Sequence, residues 1–158
     1  MMLLVWMGLA FGQTMPAVQA ETLSGQAIAL PGSLKAARTV LVISFQREHQ
    51  AVSTAWRTHL LTLNKEGRVD WFELAYLDVS APMRLAIGTA MDLGTTDAIA
   101  RAHVAPVWAS HEPVRKALGV ASDAEVAVVV LDKQGAVVAK VMGDPSEANV
   151  KALKAAIP

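Results

Sequence analysis

The hydrophobic pattern of this chain is centred on one continuous apolar run, Thr39–Phe45. Five of its seven residues are apolar and they do not alternate with polar ones, which is typical of a strand covered on both faces. After the polar stretch Gln46–Gln50, apolar residues recur at spacings of three and four, which predicts a helix that opens near Ala51. A loop between the end of a strand and the start of a helix is the usual place for a site in an α/β protein.

The remaining pattern predicts further strands and helices in alternation. Apolar runs predict strands at Gln26–Leu30, Val69–Leu77 and Ala105–Ala109, and a hairpin of Val126–Leu131 with Ala136–Met142. Helical spacing and capping residues predict helices that begin near Ser80, Ala98, Ser110 and Ser146. The strand–helix–strand order up to Leu77 is a βαβ unit, whose two strands are expected to be parallel.

For several apolar residues outside the central run, the sequence indicates whether they lie in the core or at the surface. Trp56 and Trp71 are expected in the core, whereas Trp108, close to Pro106, could face a partner. The helix that follows Ser80 carries an apolar stripe, formed by Met83, Ala86, Ile87, Ala90 and Met91.

The first twenty residues, Met1–Ala20, differ from the rest of the chain. An almost wholly apolar run ends at Gly12, and Val18-Gln19-Ala20 places small or modest residues at the two positions that a signal peptidase reads. The run is too short to span a bilayer as a helix. We expect a signal peptide cleaved after Ala20, followed by one domain at residues 21–158 and a periplasmic or secreted location. Because no Lys or Arg precedes the run, an uncleaved anchor and a buried amino-terminal element are the alternatives.

Composition narrows the classes of function. The chain has 158 residues, of which 53% are hydrophobic, enough for one domain with a sizeable core. Its 14 basic and 14 acidic residues give a formal net charge of zero, so no excess of basic charge points to nucleic acid. There is no cysteine, which excludes disulfides, thiol redox chemistry and thiolate metal ligands.

The order of βαβ unit, further helices, hairpin and terminal helix resembles the thioredoxin-like superfamily over about Gln26–Ile157. Within the superfamily the chain is most similar in style to exported thioredoxin and peroxiredoxin-type proteins. This resemblance rests on VLVISF before the site helix, ALGV before the hairpin and VVVLDKQGAVV as the hairpin itself. More narrowly, SFQREHQAVSTAW and PMRLAI resemble a cysteine-less bacterial branch related to the mitochondrial ATP synthase assembly-factor family. The resemblance implies an α/β fold with a central mixed β-sheet flanked by helices, a C-terminal β-hairpin and a terminal helix.

The same resemblance indicates which parts of a redox site this chain lacks. Redox-active members carry Cys-x-x-Cys, or one peroxidatic cysteine, where this strand meets this helix, and Gln50 and Ser53 stand at those two positions here. Members also carry a cis-proline before the first hairpin strand, where this chain has Glu125-Val126. We therefore expect neither a thiol–disulfide oxidoreductase nor a thiol peroxidase, and we assign no catalytic residue and no cofactor.

The polar loop beside the helix start offers the candidate chemistry. Glu48 and His49 could form an acid–base pair, or could simply be solvated charged residues. Ser53 could act as a nucleophile only if His49 reached it across the first turn. A serine at such a position more commonly caps the helix or bonds to the backbone.

The four histidines show no recognisable metal motif. His49 and His59 are expected on different faces of their helix. His103 and His111 could approach each other, but no ligand at metal-motif spacing accompanies them. We therefore predict no metal site.

Arginines extend the candidate face beyond the loop. Arg84 follows the exit of the second core strand, on the edge that carries Gln46–Gln50. Arg47, Arg84 and Arg101 could line one rim that holds an anionic group or a protein carboxylate, or could be three separate surface arginines. The candidate binding face consists of Arg47, Glu48, His49, Gln50, Ser53 and Arg84.

The favoured function is a non-redox exported protein that binds another envelope protein, as an accessory or assembly, chaperone-like factor. It is expected to bind no nucleic acid and to have no stable membrane span once the signal is removed. The alternatives are a non-thiol enzyme, or a carrier of a small ligand or metal, that uses the loop face Gln46–Ser53.

Overall fold

The computed structural model describes residues 12–158, which form seven strands and five α-helices. The strands are β1 (Val18–Glu21), β2 (Ala27–Leu30), β3 (Arg38–Ser44), β4 (Asp70–Tyr76), β5 (Val104–Val107), β6 (Ala127–Asp132) and β7 (Val137–Met142). The helices are α1 (Gln50–Lys65), α2 (Ala81–Gly94), α3 (Ala98–His103), α4 (Glu112–Leu118) and α5 (Glu147–Ala155). A short 3-10 helix, Arg47–His49, precedes α1.

Five strands form the central mixed sheet, in the order β5-β4-β3-β6-β7. The strand predicted from the longest apolar run, β3, lies in the middle, parallel to β4 and antiparallel to β6. β4 and β5 are parallel, and β6 and β7 form an antiparallel hairpin. The predicted βαβ unit, the hairpin and the mixed α/β class are therefore confirmed.

β3 has no solvent-facing side because its side chains alternate between two hydrophobic cores. Val40 and Val42 face the core that the sheet forms with α1 and α5. Leu41 and Ile43 face the core that it forms with the β1–β2 hairpin and α4. Each such buried side chain stabilises the fold by roughly 1.5–3 kcal/mol relative to exposure. The uninterrupted apolar run thus follows from burial on both faces.

α1 follows the predicted pattern closely. It begins at Gln50, one residue before the expected start, and its apolar stripe places Trp56 and Leu60 in the core. Trp71 of β4 is buried in the same core, as expected. Gly67 takes a left-handed backbone with φ +69° just after the helix, which fits its role as a helix stop.

α2 differs from the rest of the helices because none of its residues is buried. Its start is as predicted, with Ser80 at the N-cap and proline in the first turn. Its predicted apolar stripe is only partly covered, because Ile87 and Met91 are half-buried but Met83 is 49% exposed. Outside the stripe, Leu85 and Leu93 are each 75% exposed. The helix therefore lies on the surface and presents large apolar side chains to solvent.

The segment predicted to be a signal peptide overlaps the folded part of the chain. Residues 1–11 lie outside the described residues, but Met15 and Val18 are buried in the core beneath β1 and β2. The amide of Met15 donates a hydrogen bond to the carbonyl of Gly135 at 2.9 Å, and Ala20 lies within β1. Cleavage after Ala20 would remove most of this strand, and the processing point stays a prediction. Within residues 12–158, no helix has the length and hydrophobicity needed to cross a bilayer.

Packing of this early segment is testable by a matched pair of methionine substitutions. Met15→Ala is expected to lower the free energy of unfolding by about 2–5 kcal/mol, because it leaves a cavity in the core. Met83→Ala, which removes the same atoms from an exposed site, is expected to change it by no more than about 0.5 kcal/mol. Chemical denaturation of both variants measures the difference, and equal effects would show that Met15 is not part of the core.

Candidate functional site

The candidate site lies where β3 ends at the edge of the sheet. Phe45 follows β3 and is 5% exposed, in the same core as Tyr76. Gln46 is extended, and the 3-10 helix Arg47–His49 then leads directly into α1. The loop predicted from Gln46–Gln50 is therefore short and largely helical.

His49 is a buried structural residue, so the expectation of a solvated side chain is wrong for it. The amide of Phe45 donates a hydrogen bond to Nδ1 of His49 at 3.2 Å. Nε2 lies 3.2 Å from the carbonyl oxygen of Ala124, to which it donates in the tautomer that the amide of Phe45 requires. Both ring nitrogens are occupied by backbone groups, so His49 has no nitrogen left for the acid–base role considered with Glu48.

Ser53 is enclosed within the fold. Its side chain is 7% exposed, and its hydroxyl has no hydrogen-bond partner among residues 12–158. It therefore makes neither the cap nor the backbone bond that we expected of a serine here, and it is closed to a substrate. The phenol of Tyr76 is likewise buried without a partner, and burial raises the pKa of Tyr76 to about 12.

Three residues of the predicted face do reach solvent at this edge. Arg47, Glu48 and Gln50 are exposed, and within the described part of the chain Arg47 and Glu48 form no salt bridge. Their charged groups are available for contacts with another molecule. The predicted face thus divides into an exposed part and the buried pair His49 and Ser53.

A polar cluster that sequence reasoning did not assemble covers the same edge. Nε2 of His111 lies 3.4 Å from a carboxylate oxygen of Asp123, and the side-chain amide of Gln46 donates to the other oxygen at 3.3 Å. The ring of His111 contacts Phe45 edge-on, with centroids 5.3 Å apart. Asp123 therefore connects the loop after β3 to the start of α4. Asp123 lies in an irregular loop, and no sequence motif around it indicates that it contacts Gln46 and His111.

His103 and His111 do not approach each other. The ring of His103 stacks on Trp71, near the start of β4, with centroids 4.2 Å apart and planes 4° apart. His111 packs on Phe45, beyond the end of the neighbouring strand β3. Within residues 12–158, no three His, Asp or Glu side chains are grouped to hold a metal ion.

The three arginines do not form one rim. The guanidinium of Arg101 is anchored by hydrogen bonds to the carbonyl oxygens of Leu23 and Thr95 and by an ion pair with Asp92. Arg84 is exposed on α2 and lines a cleft of about 560 Å³ beside β1. No residue of Gln46–Ser53 lines that cleft. Trp108 is half-buried and lines the cleft. That it faces a partner stays a prediction.

A buried ion pair that the sequence did not reveal lies under α1. Nε and Nη2 of Arg57 donate to the two carboxylate oxygens of Glu73 at 2.7 and 3.1 Å. Glu73 is 6% exposed, and this burial raises the pKa of Glu73 above its usual range. The hydrogen bonds and charge of Arg57, and the charge of His103, lower the pKa but do not outweigh burial. The pair ties α1 to β4.

Comparison with known proteins identifies the fold. No protein-family model matches the chain, and no curated protein sequence is significantly similar to it. Among solved structures, the exposed lipoprotein thioredoxin of Streptococcus pneumoniae is similar at 13% identity, with a TM-score of 0.58 over 89% of this chain and 98% of the other. BsSco, of the Sco family of cytochrome c oxidase assembly proteins, is similar at 10% identity, with a TM-score of 0.57 over 91% of each chain.

A third structure agrees with these two. A thiol:disulfide interchange protein from Bacteroides sp. is similar at 11% identity, with a TM-score of 0.58 over 93% of this chain and 88% of the other. The thioredoxin-like resemblance stated from the sequence is therefore confirmed at the level of fold. The narrower resemblance to the ATP synthase assembly-factor family stays a prediction.

The structural role of His49 is testable by comparison with its neighbour. His49→Ala leaves the amide of Phe45 and the carbonyl of Ala124 without a partner, at a cost of about 1–3 kcal/mol for each group that stays dry. We expect the free energy of unfolding to fall by about 2–4 kcal/mol. Glu48→Ala, at an exposed position, is expected to change it by no more than about 0.5 kcal/mol. A stable His49→Ala variant in urea titration would contradict this role.

The ion pair under α1 predicts a pH dependence of stability. Because the pKa of Glu73 is higher in the folded chain than the ordinary 4.5, the folded chain retains this proton over a range in which the unfolded chain has lost it. The contribution of Glu73 to the free energy of unfolding is fully present below pH 4.5 and is lost as pH rises through the folded value.

Glu73→Gln should remove that loss. Denaturant titrations of the parent and the variant from acid to neutral pH measure the difference between their free energies of unfolding. That difference should shift in favour of the variant as pH rises. A shift in favour of the parent would show that Arg57 outweighs burial.

Proposed function

We propose that this protein is a non-redox, exported thioredoxin-like factor that binds another protein of the cell envelope, in an accessory or assembly role. The observation that carries the proposal is the state of the sheet edge after β3. The chain has no cysteine, Gln50 stands exposed and Ser53 buried at the two thiol positions that the resemblance implies, and both nitrogens of His49 bond to backbone. What remains open to solvent is a charged surface suited to contact.

Export is supported by the sequence and by the structural neighbours. The apolar run before Gly12 and the motif Val18-Gln19-Ala20 are typical of a signal peptide. One neighbour is described as an exposed lipoprotein and another as a member of a family of oxidase assembly proteins. Cleavage after Ala20 would remove Met15 and Val18, which are buried in the core. Cleavage upstream of Gln13, which would keep both residues, is therefore the second candidate processing point.

An enzyme that uses Glu48, His49 and Ser53 is the weaker candidate. Such an enzyme needs a histidine nitrogen free to move a proton and a serine hydroxyl open to substrate. His49 uses both nitrogens for the backbone, and the hydroxyl of Ser53 is enclosed. Nothing in the described residues favours a metal carrier, and native mass spectrometry of the purified protein would show any retained ligand as added mass.

The proposal predicts a partner that depends on the exposed charges after β3. Cells that make the full chain with a C-terminal tag are fractionated, and the protein is cross-linked and recovered from the envelope fraction. Arg47→Ala/Glu48→Ala should reduce recovery of the partner by about five- to tenfold, as expected for loss of two partly desolvated charges at an interface. The purified chain should not reduce insulin disulfides.

A charge-matched control is available at the other end of α1. Lys65→Ala/Glu66→Ala removes one basic and one acidic exposed residue, as the first pair does, and should leave recovery unchanged. Equal loss in both variants, or a partner that persists in Arg47→Ala/Glu48→Ala, contradicts binding through this face. Location in the cytoplasm contradicts export, and intact mass of the envelope protein identifies the processing point.

A further inference from the structure

Residues 13–20, which cleavage after Ala20 would remove, pack as an extended segment against the rest of the chain. The amide of Met15 donates a hydrogen bond to the carbonyl of Gly135 at 2.9 Å, and the amide of Val137 donates to the carbonyl of Gln13 at 2.9 Å. The segment runs antiparallel to the chain at this point, where β7, the outer strand of the central sheet, begins. This end of the sheet edge therefore accepts an extended chain.

The same segment also covers β2. In β1, Val18 pairs with Leu30 and Ala20 pairs with Ile28, in antiparallel register. Cleavage after Ala20 would leave only the last residue of β1, so the main-chain groups of β2 that now pair with this strand would lose their partners. An unpaired strand edge presents amide and carbonyl groups in the spacing that another extended chain matches.

Two apolar side chains of the segment fill positions in the core. Met15 and Val18 are buried together with Leu30, Leu131 and Val137. Their removal would leave two apolar slots, three residues apart along the missing segment. The slots, the start of β7 and the edge of β2 together form what we call the leader groove. Apolar surface of this kind is favourably covered by another molecule.

The remaining fold does not depend on the segment. The core between the sheet, α1 and α5 contains no residue before Val40 among residues 12–158. The opposite core keeps its central members from β3 and α4, which include Leu41, Ile43 and Leu118. We therefore expect the loss of residues 13–20 to open the leader groove without unfolding the protein.

One end of the leader groove carries a positive charge. Nζ of Lys140 donates to the carbonyls of Leu118 at 2.8 Å and Gly119 at 3.2 Å, which leaves one of its three N–H groups for a further acceptor. A Cβ at Gly119 would be 2.5 Å from Nε2 of Gln13 and 3.5 Å from Nζ of Lys140, so both groups lie beside the same point. A carboxylate in place of the Gln13 amide would therefore meet the ammonium group.

We propose that the leader groove of the mature protein binds an extended segment of the envelope partner, in the place that residues 13–20 occupy before cleavage. The segment supplies main-chain hydrogen bonds to β2 and to the start of β7, two apolar side chains three residues apart, and an acidic side chain that reaches Lys140. The inference rests on the export, the cleavage after Ala20 and the partner proposed above, and it adds the chemistry by which that partner is recognised.

The test uses mature protein recovered from the envelope fraction of cells that make the full chain, with intact mass to identify its first residue. The probe is a fluorescent synthetic peptide with the sequence of residues 12–20, and binding is measured by polarisation. The peptide should bind saturably and should raise the urea midpoint of the mature protein. Amide exchange followed by NMR should show that the amide of Val137 becomes protected when the peptide binds.

Peptide variants supply matched controls. Val18→Glu places a charge in an apolar slot and should weaken binding at least tenfold. Ala17→Glu adds the same charge at an exposed position and should leave binding unchanged. Gln13→Glu should strengthen binding by roughly two- to fivefold, as expected for one partly exposed ion pair, and this gain should disappear when the protein carries Lys140→Gln.

The partner connects the leader groove to the proposed function. An excess of the parent peptide should displace the cross-linked envelope partner, whereas the Val18→Glu peptide should not. A partner that persists in the presence of the parent peptide overturns this inference alone. Failure to recover any partner overturns the proposed function, and the peptide titration then still decides whether the groove accepts an extended chain.

Three further outcomes overturn the inference and leave export intact. The mature protein begins upstream of Glu21, so that its own segment fills the leader groove. The protein begins at Glu21 but does not bind the peptide, or binds the Val18→Glu and Ala17→Glu peptides equally. Alternatively, the mature protein forms a dimer that the peptide dissociates, which makes a second copy the occupant.

Discussion

The structure depends on covering both faces of β3. Its side chains point alternately into two cores, and no residue from Thr39 to Ile43 is more than 1% exposed. A strand in that position is stable only if a layer of structure lies on each side of the sheet. α1 and α5 supply one layer, and the β1–β2 hairpin with α4 supplies the other. Because both faces of the sheet are covered, sites can form only where strands end at the edge of the sheet or on the outer surface of the covering layers.

At the end of β3, polar side chains join the loop after the strand to neighbouring segments of the chain. His49 connects the backbone of Phe45 to that of Ala124, and Asp123 connects Gln46 to His111. The buried ring of His49 has both nitrogens paired, which holds the backbone on either side of it, and so its exposed neighbours, in fixed positions. The charged residues that remain at the surface are consequently presented on a firm support. This arrangement suits recognition by contact better than chemistry that needs a free nitrogen or hydroxyl.

In contrast to the loop after β3, α2 is poorly packed against the rest of the fold. The helix contributes no buried residue, and it is kept in place by Arg101 at its end and by Gly88 against Trp108. Its large apolar side chains therefore face solvent and a cleft, an arrangement that in soluble proteins commonly marks an interaction surface. Arg84 belongs to this surface. The sequence grouped it with the loop after β3 because both follow a strand, but a helix turns each residue by about 100° and only packing decides which neighbour it meets.

The sequence by itself determined the order of elements from β2 onward, the central place of β3 and the absence of thiol chemistry, because each follows from local periodicity or composition. It did not reveal β1, whose residues it assigned to a signal peptide. Apolar runs, turn glycines such as Gly67 and the count of cysteines are read without knowing what packs on what. The tertiary structure alone decided the roles of side chains that depend on distant partners. His49 is structural because the fold brings the carbonyl of Ala124, 75 residues away in the sequence, within hydrogen-bonding distance of its ring. Arg57 and Glu73 pair because α1 packs against β4. The stripe of α2 is only partly covered for the same reason, since periodicity indicates that a face is apolar but not whether the fold has a layer to cover it.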